Sequence, residues 1–255
     1  FGTNDTMPTT TDAIPTPDGV CQVTLAVPDG AGPWPGVVLY PDAGGTRRAL
    51  REMAERLAAL GYVVALPDVY YRHGDWAPFD MRTVFVNEGE RRRLFALMRS
   101  VTAEAIAVDA RALFGYLASR PEVAGDRFGV TGYCMGGRIS LMVAGLVPDR
   151  VAAALSFHGG GLVTDGLDSP HLLADQIQAA VYVGGAQDDP SYTAGDAARL
   201  DAALTEAGVV HVMEWYPALH GFAVTDNAPY DDAAAALHWR AMADFLGAHL
   251  PARQP

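Results

Sequence analysis

Cysteine is scarce in this 255-residue chain, which contains only Cys21 and Cys134. We expect one in an early strand and the other at a turn, and therefore expect both thiols to be free, as in a reducing cytoplasm. Basic residues are also few, because 18 Lys and Arg stand against 30 Asp and Glu, for a formal net charge of −12. This balance argues against nucleic acid and anionic membranes as partners. The chain has no apolar run long enough for a transmembrane helix.

Short apolar runs are present, and they alternate with segments that have helical spacing. This alternation predicts an α/β fold with a doubly wound, mostly parallel sheet in a single domain. We expect residues 20–255 to form that domain. Residues 1–19 are expected to be an extension, partly disordered or, before Met7, left over from cloning. The predicted strands are residues 20–27, 36–40, 62–66, 127–132, 151–157, 179–184 and 209–216. The predicted helices are residues 48–60, 88–100, 103–119, 138–146, 193–207 and 231–249.

The most informative motif is residues 132–137, Gly-Tyr-Cys-Met-Gly-Gly, between a predicted strand and a predicted helix. A sharp strand-to-helix turn of this kind exposes one side chain for covalent chemistry, here that of Cys134. The glycines let strand and helix approach closely, and the positive end of the helix favours a thiolate. The motif is short, so a buried structural cysteine in a glycine-rich turn is the alternative interpretation.

Possible partners of Cys134 follow it along the chain at two later strand ends. Asp188 and Asp189 come just after the strand at 179–184, and we choose Asp188 as the acid because Asp189 precedes proline and suits a turn. Both carboxylates could instead be turn formers. His220 follows the last strand in a loop, and it would act as the base. The order Cys134, Asp188, His220 matches the nucleophile–acid–histidine order of the α/β-hydrolase fold.

Two backbone N–H groups are candidates for an oxyanion hole. Met135 follows the nucleophile at the helix N-terminus, and Ala43 lies in the loop after the strand at 36–40. Two glycines follow Ala43, which lets the backbone approach a developing oxyanion closely.

These features together resemble the dienelactone hydrolase family of α/β hydrolases. The likeness extends from about Val20 onward and rests on the elbow at 132–137, Asp188, the His-Gly-Phe signature at 220–222, and residues 66–72, Leu-Pro-Asp-Val-Tyr-Tyr-Arg. The resemblance implies an α/β-hydrolase fold. It also implies a Cys-His-Asp triad that opens lactones and cleaves simple esters without a metal or other cofactor.

The resemblance also assigns roles to two charged residues. Asp42 occupies the position of an acidic residue that helps form the thiolate when substrate arrives, although a loop-capping carboxylate explains Asp42 equally well. Arg72 matches an arginine that binds the carboxylate of dienelactone, and it could also pair with the loop at Asp68. Val224 stands where a second arginine would complete that clamp. Since valine cannot replace a guanidinium, we expect an ester or lactone in general rather than dienelactone itself.

Further residues are expected around the site. We expect Tyr133, beside the nucleophile, to contact the substrate. His158 is expected at the pocket rim, with a purely local hydrogen bond as the alternative. Residues 69–86 are irregular and rich in aromatic side chains, and they could form either a lid or part of the core.

The predicted function is hydrolysis of a small-molecule ester or lactone through a cysteine acyl-enzyme. The alternatives are a non-catalytic ligand-binding protein of the same fold, and an acyl or thioester transferase. We expect a cytoplasmic monomer or homodimer, with no nucleic-acid or membrane partner.

Overall fold

The core of the protein is one eight-stranded sheet, seen in a computed structural model that describes residues 9–251. The strand order is β1-β2-β4-β3-β5-β6-β7-β8; β1–β2 and β2–β4 pair antiparallel, and all other neighbours pair in parallel. Parallel strands covered on both faces are expected to be continuous apolar runs, as predicted from the sequence. The strands are β1 (Thr9–Thr16), β2 (Gly19–Ala26), β3 (Trp34–Tyr40), β4 (Val63–Pro67), β5 (Val123–Tyr133), β6 (Val151–Phe157), β7 (Ala180–Ala186) and β8 (His211–Tyr216).

Helices cover both faces of this sheet and close two hydrophobic cores. One core includes α1 and α6, and the other includes α2, α3, α4 and α5. Neighbouring side chains of β3 separate accordingly, since Val37 and Leu39 join the first core while Val38 and Tyr40 join the second. The helices are α1 (Arg48–Ala58), α2 (Glu88–Ser100), α3 (Ala103–Ala118), α4 (Met135–Leu146), α5 (Ala194–Glu206) and α6 (Asp232–His249).

The predicted fold class is confirmed, and the N-terminal boundary differs from the prediction. Residues 9–16 form β1, which pairs along its whole length with β2, so the sheet begins before residue 20. The expected extension therefore contributes a strand, while residues 1–8 lie outside the described part. The Thr-rich segment 9–16 alternates weakly and contains a proline, which is tolerated because β1 is an edge strand.

Candidate active site

Cys134 occupies a strained turn between β5 and α4. Its φ is 54° and its ψ is −114°, a combination that non-glycine residues rarely adopt. The turn needs glycine on both sides: a Cβ at position 132 would collide with the Gly136 carbonyl oxygen, and one at position 136 with the Tyr40 carbonyl oxygen. These close approaches explain the glycines of the motif and leave the Cys134 side chain partly exposed at the strand end. Neither Cys134 nor the buried Cys21 is in a disulfide.

His220 links this cysteine to a carboxylate. It lies beside Cys134, whose charge acts on the imidazole, and its Nδ1 donates to Asp189 Oδ2 at 2.6 Å. Burial by itself would lower the pKa of His220, but the negative charge of Cys134 and the hydrogen bond to Asp189 outweigh burial and raise that pKa to about 10. The imidazole of His220 is therefore cationic at neutral pH, with its charge beside the Cys134 sulfur.

The acid on His220 is Asp189, which corrects the expectation for Asp188. Asp188 is exposed, and its φ of 55° turns the chain so that the next side chain enters the site. Asp189 is buried and also accepts the Ser191 N–H at 2.8 Å and the Ser191 hydroxyl at 2.6 Å. Burial would raise the pKa of Asp189, but the hydrogen bonds from His220 and Ser191 lower it overall. Residues 189–191, Asp-Pro-Ser, therefore form a turn, and the carboxylate of Asp189 both accepts the turn hydrogen bonds and binds His220.

The two predicted oxyanion donors lie on either side of the Tyr70 hydroxyl. That hydroxyl donates to the Ala43 carbonyl at 2.8 Å and is 3.5 Å from Met135 Sδ. Met135 is the first residue of α4, so its N–H points out of the helix end. Within residues 9–251, neither the Ala43 nor the Met135 N–H donates to a protein acceptor. Tyr70, which the sequence analysis did not select, holds the two segments together.

Asp42 belongs to a buried ion network. Its carboxylate accepts the Gly44 N–H at 3.0 Å, and the Arg47 guanidinium binds it through two nitrogens at 2.6 and 3.0 Å. Asn227 Nδ2 donates to the same carboxylate at 3.2 Å. The bond to Gly44 fits the loop-capping interpretation, and these partners occupy the carboxylate that was expected to act on Cys134.

The Arg72 guanidinium is paired with two carboxylates of the protein, whereas the resemblance implies that it binds the carboxylate of the substrate. It binds Asp109 through two nitrogens at 2.8 Å each and Asp18 at 2.7 and 3.0 Å, and its guanidinium stacks on Tyr71. The alternative partner at Asp68 is wrong, since Asp68 accepts the Trp76 indole N–H. Asp18 lies in the turn between β1 and β2, which the sequence analysis assigned to the N-terminal extension. The sequence therefore gave no indication that Asp18 pairs with Arg72.

Tyr133 and His158 are both fully buried, so neither lines a pocket rim. The Tyr133 side chain enters the core that contains α1 and α6, and its hydroxyl is 3.0 Å from His238 Nε2. The His158 ring packs edge-to-face on the His220 ring at 5.2 Å between centroids. Neither ring nitrogen of His158 has a hydrogen-bond partner among the described residues. Burial, then the charge of His220, lowers the pKa of His158 well below its usual value, which keeps it neutral.

Some side chains of residues 69–86 are buried in the core, and others pack against the loop that carries Ala43. A Cβ on Gly44 would lie 2.5 Å from Met81 Sδ, and one on Gly45 would lie 2.5 Å from the Trp76 ring. Both side chains therefore pack directly on the glycines of that loop. The segment ends in exposed apolar side chains at Phe85 and Val86.

An open groove of about 910 Å³ reaches the candidate active site only at Asp189. The groove is lined by Asp188, Asp189, Tyr192 and Trp215, among others, and its lining does not include Cys134 or His220. Among residues 9–251, no cluster of three His, Cys, Asp or Glu residues could hold a metal ion. None of the helices within residues 9–251 could span a membrane.

Comparison with known proteins assigns a family to this arrangement. The model of the dienelactone hydrolase family matches residues 21–250. A carboxymethylenebutenolidase from Pseudomonas putida is 28% identical over 224 residues, which cover 88% of this chain and 89% of the relative. A candidate dienelactone hydrolase from Klebsiella pneumoniae superposes with a TM-score of 0.82 at 25% identity, over 94% of this chain and 98% of the other. A dienelactone hydrolase-like promiscuous phosphotriesterase from metagenomic libraries gives a TM-score of 0.74 at 26% identity, over 94% and 98% of the two chains. The chain therefore belongs to the dienelactone hydrolase family of α/β hydrolases.

Proposed function

We propose that this hydrolase cleaves uncharged esters and lactones through a thioester formed on Cys134. Membership of the family makes the chain an ester or lactone hydrolase. The observation that carries the mechanism is the placement of His220, which interacts with Cys134 on one side and hydrogen-bonds to Asp189 on the other. In this mechanism Cys134 reacts as a thiolate, and the imidazolium of His220 supplies the proton that the leaving group needs.

Acylation begins when the Cys134 thiolate attacks the acyl carbon. The carbonyl oxygen becomes an oxyanion, which the N–H groups of Ala43 and Met135 stabilise. The bond between the acyl carbon and the alcohol oxygen then breaks, and His220 donates its proton to that oxygen. The products of this half-reaction are an alcohol and a neutral thioester, or a single open chain when the substrate is a lactone.

Deacylation returns the enzyme to its resting state. Once Cys134 is acylated, the negative charge that helped to raise the pKa of His220 is gone. His220 is then neutral and can take a proton from water, which attacks the thioester carbon. Collapse of the intermediate releases the acid and the Cys134 thiolate, and Asp189 orients the imidazole throughout.

The preference for uncharged substrates follows from the pairing of two arginines, one of which, Arg72, the resemblance assigns to the substrate carboxylate. Arg47 and Arg72 each contact two carboxylates, and Val224 is fully buried. A substrate carboxylate would therefore have to displace an existing ion pair to obtain a cationic partner. A negative charge on the substrate would therefore not strengthen binding. It would also be repelled by the protein, whose formal net charge is −12.

Hydrolysis of a panel of p-nitrophenyl esters and small lactones by the wild type and Cys134→Ala tests this function. We expect activity on neutral esters that the variant lacks. Matched pairs of neutral and carboxylate-bearing lactones should differ in kcat/KM in favour of the neutral member. Esterase activity that survives in Cys134→Ala would refute the proposed site. Transfer of the acyl group to an added alcohol or thiol in preference to water would favour the transferase alternative.

We also propose that the protein is cytoplasmic and is either a monomer or a homodimer. Two free thiols agree with a reducing cytoplasm, and a monomer or a homodimer is compatible with the fold.

A further inference from the structure

Arg47 joins two loops that the proposed mechanism needs to hold in register. We name residues 41–47, which carry Ala43, the oxyanion loop, and residues 217–230, which carry His220, the histidine loop. The two loops are far apart in sequence. Arg47 is the residue just before α1; its backbone is extended and its side chain is only 9% exposed.

The Arg47 guanidinium binds one carboxylate from each loop. Toward the oxyanion loop, it contacts Asp42 through two nitrogens and donates to the Gly45 carbonyl at 3.1 Å. Toward the histidine loop, its Nε and a terminal nitrogen each lie 2.7 Å from an oxygen of Asp226. A planar guanidinium with five N–H groups can hold two carboxylates in fixed relative positions, which an ammonium cannot do.

Asn227 extends this connection to the histidine itself. Its side-chain amide donates to Asp42 at 3.2 Å and to the Gly221 carbonyl at 3.4 Å, and its own oxygen is 3.4 Å from Arg47. Gly221 directly follows His220 and has a φ of 96°. A path of buried hydrogen bonds therefore connects the oxyanion loop with the residue next to the base, and its bonds to the Asp42 carboxylate are charge-assisted.

We propose that Arg47 is a positioning residue, which sets the distance between the oxyanion donor at Ala43 and the base His220 by holding Asp42 and Asp226 at once. This inference rests on the proposed function. Its physical basis is that transition-state stabilisation requires the oxyanion donor and the base to be correctly positioned at the same time. Substrate binding does not have this requirement. Loosening the connection should therefore lower kcat and leave KM nearly unchanged.

The chain contains a matched control for this connection. Arg72 is also held by two aspartates, and Asp18 contacts it through Nε and a terminal nitrogen at 3.0 and 2.7 Å. Asp18 and Asp226 have similar side-chain exposure, 46% and 39%. Asp226→Asn and Asp18→Asn thus each weaken a half-exposed carboxylate's pairing with an arginine that a second aspartate also holds, but only Asp226 bridges the two active-site loops.

The test measures p-nitrophenyl acetate hydrolysis and backbone hydrogen exchange in both variants. We expect Asp226→Asn to lower kcat by at least ~10-fold with KM within about twofold of wild type. Asp18→Asn should keep both parameters within about twofold. Hydrogen exchange should speed up in both loops of Asp226→Asn, including the oxyanion loop, and in neither loop of Asp18→Asn. Arg47→Lys retains the positive charge but lacks the planar guanidinium, and it should change kcat, KM and hydrogen exchange in the same way as Asp226→Asn.

Equal effects of the two aspartate substitutions on kcat would overturn the inference, as would faster exchange confined to the histidine loop. If the wild type lacked esterase activity, the proposed function would fail, while the exchange of the oxyanion loop would still decide whether the two loops are coupled. Thermal unfolding of each variant separates loop uncoupling from loss of folded protein.

Discussion

Asp189 Oδ2 lies 2.6 Å from His220 Nδ1, while the neighbouring Asp188 is exposed to solvent. Two adjacent carboxylates in one loop thus have different environments, and the backbone of Asp188 decides which of them reaches the histidine. Asp188 has a φ of 55°, in the left-handed region, and the side chain that follows it, Asp189, is buried.

Substitution of these two aspartates should separate their roles. Asp189→Asn is expected to lower kcat by about 10²–10⁴-fold, because an amide cannot stabilise the imidazolium and can hold the wrong tautomer. Asp188→Asn should change kcat by less than about twofold, as usual for an exposed residue. Steady-state hydrolysis of p-nitrophenyl acetate measures both, and an equal loss in the two variants would contradict the assignment.

The ionisation of His220 should depend on Cys134. The pKa of His220 is raised to about 10, so the ring is cationic below that pH and loses its proton as pH rises through it. In Cys134→Ala, the thiolate charge is absent and the pKa should fall. NMR titration of the imidazole measures this directly. Acylation should slow above about pH 10, since the leaving group then lacks a proton donor. An identical titration in wild type and Cys134→Ala would argue against the ion pair.

Two glycines of the turn around Cys134 should be irreplaceable. Gly132→Ala and Gly136→Ala place a Cβ on backbone oxygens, and we expect either variant to fail to fold or to lose activity. Gly115→Ala in α3 and Gly247→Ala in α6 are the controls, because a Cβ there meets no atom within 4 Å. Those two should raise the free energy of unfolding by about 0.5–1 kcal/mol. Urea unfolding and esterase assays together distinguish these outcomes, and full activity in Gly136→Ala would contradict the described turn.

Tyr133 should prove structural. Tyr133→Phe removes a buried hydroxyl 3.0 Å from His238 Nε2, and we expect a loss of about 0.5–3 kcal/mol in unfolding free energy because that ring nitrogen loses its partner. KM and kcat should stay near wild-type values, since the side chain lies in the core that contains α1 and α6. A raised KM without loss of stability would instead support the original expectation of a substrate contact.

The sequence was sufficient to predict the elements that carry chemistry in the order of the chain. Cys134 and His220 were identifiable because each follows an apolar strand and stands next to glycine. The choice between Asp188 and Asp189 was not decidable in this way, because one backbone angle determines it. The two partners of Arg72, Asp18 and Asp109, were not identifiable because they come from distant segments. The role of Arg47 depends on the conformation of two loops, which local sequence patterns do not determine.

Trapping of the acyl-enzyme tests the central claim most directly. The protein is mixed with p-nitrophenyl acetate, quenched in acid within a turnover, digested and analysed by mass spectrometry. We predict one acetyl group on the peptide that contains Cys134, and none on that peptide in Cys134→Ala. Rapid release of p-nitrophenol by an enzyme whose Cys134 is never acetylated would contradict the account.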